Sequence, residues 1–303
     1  MIFLGIDIGN HDTEGSNGIK YKSGVREVIN TVGINPDARL ISCNGKTLLV
    51  GETRNAMQYD KTSNSNMMSL ALPIIAEKIE MEYEPKTQTI SLGIGVPLTQ
   101  MRNLRDKYVS YFKGQNIVFT YKGKEYNVTF GNVRCYPQGY SVLLHHYDEI
   151  IADSADEMNI IDIGGGTTDA FKLIKGKPST ETFRTLNIGV IHLLNRIRTE
   201  MDAEGIQVSD EMLLSAIRGK RIMHKKSDYI KRTCVSFTKD YVSELVAELE
   251  ASGYDLSLPT VWIGGGYQLF KEYIGKNEKI FTIKEFDEFA NAKAYEWLIR
   301  HGK

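Results

Sequence analysis

Two aspartates stand in the same four-residue phrase. Ile6-Asp7-Ile8-Gly9 recurs as Ile161-Asp162-Ile163-Gly164, about half a chain later. Each phrase closes an apolar run and enters a polar, glycine-bearing loop. The first loop holds Gly9, Asn10, His11, Asp12 and Thr13; the second holds Gly164, Gly165, Gly166 and Thr167, with Thr168 and Asp169 behind it. A third apolar run, Val261-Trp262-Ile263, meets Gly264, Gly265, Gly266 and Tyr267. Glycine lets a backbone come close to a ligand. Successive N–H groups in such a turn form a concavity for anions, and a hydroxyl at Thr13, Thr167 or Thr168 can add a hydrogen bond to a phosphate. Two carboxylates at strand ends can hold a hydrated Mg²⁺ against those phosphates, because Mg²⁺ takes oxygen ligands and keeps its waters. Any one of these loops is equally well a plain turn, and each aspartate could simply cap its own turn. Recurrence is the informative feature. A further element, Tyr136-Pro137-Gln138-Gly139-Tyr140, puts a polar side chain between two turn-forming residues; on the residues alone, a structural turn and a working Gln138 both stand.

The elements that position these loops repeat as well. Strand-like segments 19–22 and 25–32 follow the first loop; 170–174 and 182–186, joined by a Gly176-Lys177 turn, follow the second. Leu98, Met101, Leu104, Tyr108 and Phe112 fall at helical spacing, as do Tyr241, Leu245, Val246 and Leu249; both stripes read as core faces. A hairpin is expected over 117–130, turning at Lys122-Gly123-Lys124, with a helix from about 140 to 151. The chain ends in a buried strand over 260–263, a turn at the glycine triplet, and a helix from about 284 to 300. Alternation of strands and helices, twice over, predicts a duplicated α/β protein with a cleft between two halves, 1–155 and 156–303.

Composition narrows the function. The 303 residues are 42% hydrophobic and 25% charged, enough for two cores. A formal net charge of −1 offers no basic field for gripping nucleic acid through its phosphates. Cys43, Cys135 and Cys234 form no CxxC pair, and adjacent His145 and His146 lack ligand spacing, which favours thiols in a reducing compartment over a disulfide frame or a zinc site. The apolar start at 1–8 already carries Asp7 and reads as a strand, not a signal peptide. With no apolar run of the roughly 18 residues a membrane span needs, a cytoplasmic protein is expected. GxxxxGK[ST] is absent, as is a GxGxxG opening a βαβ unit, which argues against a P-loop NTPase and a standard dinucleotide binder.

The three loops, in this order, resemble the phosphate-1, phosphate-2 and adenosine motifs of the actin, sugar-kinase and DnaK-like superfamily. Pro137-Gln138-Gly139 resembles its first connecting motif and Phe289-Ala-Asn-Ala-Lys-Ala294 its second. The likeness spans essentially the whole chain and is nearest to ParM-like bacterial actin homologues. It implies an actin-like, ribonuclease H-like fold of two domains around a nucleotide cleft, with the last helix returning to the first domain. It implies ATP as the ligand, GTP being the alternative, with Mg²⁺ placed by Asp7 and Asp162 through water. Asn10 to Thr13 and Gly164 to Thr167 would cradle phosphates, Gln138 would align the attacking water, Asp169 would help polarise it, and Gly264 to Gly266 with Tyr267 would lie against adenosine. One departure stands out: where many actin-like proteins carry a lysine in the first phosphate loop, this chain has Glu14.

Within that superfamily, a DnaK-type chaperone would need a peptide-binding domain beyond Ala294, a sugar kinase a catalytic aspartate near Gln138, and an MreB-type homologue a membrane-binding element; none is evident in the sequence. The resemblance therefore implies a filament of head-to-tail copies that moves plasmid DNA through a DNA-bound adaptor of ParR type, without touching nucleic acid itself. A small-molecule kinase and a non-polymerising ATPase switch are the alternatives. Candidate contact segments are 57–68 and the basic run 218–232, the latter reading more readily as a solvated helix face.

Overall fold

A computed structural model of the chain describes residues 1–54, 65–83, 85–152 and 156–303. It divides into two compact units, one of residues 1–147 and 289–303, the other of residues 148–288.

The first unit is built on a nine-stranded sheet. Its strands are β1 (Ile2–Ile8), β2 (Asp12–Gly15), β3 (Lys20–Lys22), β4 (Val25–Glu27), β5 (Arg39–Cys43), β6 (Lys46–Val50), β7 (Thr87–Val96), β8 (Asn116–Tyr121) and β9 (Lys124–Pro137), in the spatial order β3-β2-β1-β7-β9-β8-β5-β6-β4. β1, β7 and β9 run parallel at its centre. Parallel strands covered on both faces read as continuous apolar runs, and β1 and the second half of β7 are buried almost throughout. The β8–β9 turn places Lys122 and Gly123 at φ 48° and 71°, the left-handed pair that matches strand twist in a two-residue hairpin.

Helices α1 (Met67–Met81), α2 (Met101–Phe112) and α3 (Tyr140–His145) belong to this unit, and α4 (Tyr147–Ala152) follows where the chain passes into the second unit. The single helix expected over 140–151 is thus two short ones, broken at His146, which leaves helical geometry at φ −113°. α9 (Ala290–Arg300) packs on β1 and β7. The approach is so close that a Cβ on Gly5 would stand 1.9 Å from the Ala292 carbonyl oxygen. Glycine on the strand and alanines on the helix let the two backbones meet.

The second unit has a five-stranded sheet. Its strands are β10 (Glu157–Ile163), β11 (Thr168–Ile174), β12 (Lys177–Leu186), β13 (Thr260–Ile263) and β14 (Thr282–Glu285), ordered β12-β11-β10-β13-β14. Its helices are α5 (Val190–Ala203), α6 (Asp210–Ile217), α7 (Ser227–Ala251) and α8 (Gly264–Ile274). Both expected helical stripes are buried core faces: Leu104, Tyr108 and Phe112 in α2, and Tyr241, Leu245, Val246 and Leu249 in α7.

Four segments differ from the sequence expectations. Residues 282–285 are a strand, pairing parallel to β13, so the last helix starts six residues later than expected. The glycine triplet opens α8 and is not a free turn. Only Val25–Glu27 of the segment 25–32 is a strand; Ile29 and Val32 are fully exposed. Of the candidate contact segment 57–68, residues 57–64 lie outside the described residues, and Met67 is buried at the start of α1. In the basic run, 218–226 precede α7 and most of them are exposed. No disulfide forms among the cysteines, and among the described residues no helix is long and apolar enough to cross a membrane.

Candidate nucleotide site

The sequence echo is also an echo of register. In the first unit, Ile8 pairs Thr13 and Asp7 pairs Glu14 across the β1–β2 hairpin, and the turn is closed by Gly9 N–H donating to Asp12 O at 3.0 Å. In the second, Ile163 pairs Thr168 and Asp162 pairs Asp169, and Gly164 N–H donates to Thr167 O at 2.9 Å. The two turns are the same length and closed by the same bond. Register partners point to one face of a sheet. Each aspartate of the echo therefore faces a second carboxylate: Glu14 in one hairpin, Asp169 in the other. Glu14 thus lies on a strand, opposite Asp7.

Asp7 and Asp162 are both buried, each with 7% of its surface exposed. Buried carboxylates need partners. For Asp7 the partner is Gln138, whose Nε2 donates to both oxygens, at 2.9 and 3.0 Å. Gln138 stands just past the end of β9, next to β7 in the sheet; its own N–H donates to Val96 O. The next residue is pinned from α9, where the buried side chain of Asn291 accepts from Gly139 N–H at 2.9 Å. In the second unit, Asp169 accepts from Thr185 Oγ1. A Cβ on Gly264 would fall 2.6 Å from Asp162 Oδ1, so the start of α8 lies directly beside that carboxylate.

Both loops are braced from behind. Thr13 and Thr168 are fully buried. Thr13 Oγ1 bonds Ser23 Oγ at 2.8 Å, and Thr168 Oγ1 donates to Ile188 O at 2.6 Å. These hydroxyls therefore hold the hairpins, while Thr167 stays half-exposed. Gly164 O and Gly165 O accept from the first N–H groups of α5, those of Val190 and Ile191. A Cβ on Gly189 would strike the Gly165–Gly166 backbone.

The first loop carries a charge cluster absent from the sequence reading. Arg54 donates Nε to His11 O at 2.9 Å and Nη2 to Asp12 Oδ1 at 3.1 Å. His11 Nδ1 lies 3.1 Å from Asp12 Oδ2, and Lys20 Nζ lies 3.3 Å from the same oxygen. Burial alone would raise the Asp12 carboxyl, but His11, Lys20 and Arg54 outweigh it and hold it far below the ordinary carboxylate range. The Nε2 of His11 is buried and bonded to nothing among the described residues. Arg54 lies 42 residues from Asp12, and no local pattern could have tied them.

Of the expected site residues, the fold gathers Asp7, Gly9 to Thr13 and Gln138 in one unit. It gathers Asp162, Gly164 to Thr167, Asp169 and Gly264 in the other. Tyr267 lies in the first turn of α8, in the same unit as Gly264. It is buried and stacked on Trp262 at 5.4 Å, and burial and Glu285 push its hydroxyl up to about 12. Gly266 packs against Ile163. Within its own unit each aspartate stands opposite a second carboxylate, Glu14 for Asp7 and Asp169 for Asp162, oxygen donors of the kind a hydrated Mg²⁺ takes. Among the described residues no group of three or more His, Cys, Asp or Glu could hold a metal by itself.

Residues 5–140 match the family described as actin-like proteins, N-terminal domain, and residues 160–276 match the archaeal actin homologue MreB-like C-terminal domain. The fold is similar to that of the archaeal actin homolog Ta0583 in complex with ADP, with a TM-score of 0.77 and 18% identity over 99% of this chain and 100% of that one. It is also similar to a 15-stranded ParM filament from Clostridium botulinum, with a TM-score of 0.72 and 18% identity over 98% of each chain. Bacillus thuringiensis ParM with AMPPNP gives a TM-score of 0.69 and 11% identity over 100% of this chain and 99% of that one. No curated protein matches the chain. Two family matches that together take in both aspartate loops, on a fold shared with actin homologues along their whole length, show that the chain belongs to the actin-like proteins.

Proposed function

We propose that the protein binds and hydrolyses ATP with Mg²⁺ and assembles into filaments of head-to-tail copies. The observation that carries the nucleotide reading is the matched pair of hairpins, each with a buried aspartate at the mouth of an identically closed turn. The backbone of 10–13 and of 164–167 would take the phosphates, and Gly264 and Gly265 would lie at the nucleoside. Asp7 and Asp162 would hold the hydrated Mg²⁺, which when bound neutralises phosphate charge as it builds up. A carboxylate only accepts hydrogen bonds, so Gln138 must turn its nitrogen to Asp7. Its Oε1 is then the acceptor that can orient a water for in-line attack. Asp169, fixed by Thr185, would polarise that water. The work is positioning and electrostatics, as phosphoryl transfer demands.

Filament formation is supported by the likeness to the Clostridium botulinum ParM filament; the finer role we infer, segregation of plasmid DNA through a DNA-bound adaptor of ParR type, rests on the resemblance of the sequence motifs to ParM-like proteins. A heterologous interface that does not close is what such a polymer needs. The test is light scattering with pelleting after Mg-ATP is added to purified protein, with phosphate release followed in parallel and ADP and GTP as controls. A rise in scattering that decays as phosphate appears is expected. Phosphate release without any rise, at every protein concentration, would overturn the filament reading; a stronger response to GTP would reassign the nucleotide.

A further inference from the structure

We propose that Arg54 is a positioning residue for nucleotide phosphates at the first loop, acting by neutralising Asp12 and fixing the peptide that follows His11. The inference rests on the reading that the β1–β2 hairpin receives phosphates.

The first loop has a charge problem. Asp7, Asp12 and Glu14 put three carboxylates into eight residues, and none of residues 7–14 is Lys or Arg. A polyphosphate brought to this hairpin meets repulsion unless positive charge is supplied from elsewhere. Among the described residues, Lys20 and Arg54 reach it. Lys20, on β3, holds Asp12 Oδ2 at 3.3 Å and stands 3.9 Å from Glu14 Oε1, with 28% of its side chain exposed. Arg54 comes from outside the hairpin and is more enclosed, its side chain 15% exposed against 13% for Asp12. Screening is weaker for an enclosed pair, so its charge counts for more.

Arg54 does two things that a point charge cannot. Its planar fork spans backbone and side chain, with Nε on His11 O and Nη2 on Asp12 Oδ1. His11 O also accepts from Ser23 N–H at 3.1 Å, so two donors hold that one carbonyl. A carbonyl fixes the plane of its whole peptide unit. The His11–Asp12 peptide lies inside the turn closed by Gly9 N–H and Asp12 O, and its plane is therefore set by Arg54 and Ser23 together. Removing Arg54 would loosen the turn and leave Asp12 facing incoming phosphates with, among the described residues, Lys20 and His11 beside it.

Charge neutralisation makes a graded forecast. The loss on removing Arg54 should grow with the number of phosphates and vanish for the nucleoside. The experiment measures affinities of the wild type, Arg54→Ala, Arg54→Lys, Asp12→Asn and the Arg54→Ala/Asp12→Asn double variant for adenosine, ADP and Mg-ATP by calorimetry. Arg54→Ala is expected to weaken Mg-ATP about tenfold or more, ADP less, and adenosine by under about twofold. Asp12→Asn should restore most of the loss in the double variant, because the carboxylate that needed neutralising is gone. Arg54→Lys should fall between, keeping charge but losing the fork. Unchanged Mg-ATP affinity in Arg54→Ala, an equal loss for adenosine and ATP, or a double variant no better than Arg54→Ala would each overturn the proposal. A wild type that binds no nucleotide overturns the underlying reading and the inference with it. A wild type that binds while Arg54→Ala binds equally well overturns the inference alone.

Discussion

Gln138 holds Asp7 by both carboxylate oxygens, at 2.9 and 3.0 Å, from a position 131 residues further along the chain. One side chain thus ties the end of β9 to the mouth of the first loop. If its task is to align water, truncation should slow chemistry far more than binding. Gln138→Ala is expected to lower kcat about 100-fold while nucleotide affinity changes by under about threefold, since a misplaced nucleophile costs about that much. Single-turnover phosphate release and equilibrium binding, measured side by side, separate the two. Lost binding with normal residual turnover would make Gln138 a turn residue only.

Asp162 faces Asp169 across β10–β11. Like charges directly opposite one another disfavour the hairpin, so the pair is kept at some cost to stability. Asp162→Ala should therefore abolish hydrolysis, to about 1% or less of wild type, without lowering the melting temperature. Circular dichroism and a phosphate assay decide it; full activity in this variant would remove Asp162 from the site.

The duplication, the loops and the core stripes were legible because they are local: an apolar run ending in Asp-x-Gly announces a strand and its turn wherever it occurs. The Asn44-Gly45 turn between β5 and β6 is an equally local signal, with φ 51° and 74°. Other features were not local. α1 contains Pro73 and is buried on nearly every side, so it lacks the amphipathic period that marks a surface helix. β14 is a strand because β13 lies beside it, not because Thr282–Glu285 demands it. Arg54 reaches the site from an element remote in sequence, and only the fold brings it there; Asn291 lies in the segment 289–294 that the resemblance marks, but its bond to Gly139 N–H is seen only in the fold.

At Gly5 the backbones of α9 and β1 come very close. A Cβ there would overlap the Ala292 carbonyl oxygen at 1.9 Å and approach Glu296 N at 2.7 Å. Both neighbours are backbone, which cannot rotate aside. Gly5→Ala should cost about 2–3 kcal/mol, at the upper end of overpacking penalties. Gly45→Ala, where no atom lies within 4 Å but φ is +74°, should cost only about 1 kcal/mol. Urea unfolding of the two variants checks the difference; equal costs would mean that α9 can shift off the strand.

Glu296 provides a pH-dependent hold on the same contact. It accepts from Ser16 Oγ and lies 3.3 Å from Lys78 Nζ and 2.7 Å from Arg300 Nη2, while Ser16 Oγ in turn accepts from Gly5 N–H at 3.1 Å. Burial alone would raise its carboxyl, but Ser16, Arg300 and Lys78 outweigh it and the group sits below its ordinary value of 4.5. A depressed carboxyl binds its proton more weakly folded than unfolded, so its stabilisation is present above the unfolded value and lost as pH falls through the folded one. Glu296→Gln should therefore cost about 2 kcal/mol at pH 7, the scale of a charged hydrogen bond removed from a mostly buried site. That difference from wild type should shrink steadily below about pH 4.5, because the wild-type carboxylate is then being protonated. Denaturation midpoints of the two proteins between pH 7 and the lowest pH at which both stay folded give the curve. A gap that stays constant over that range would show that Glu296 acts through packing and not through its charge.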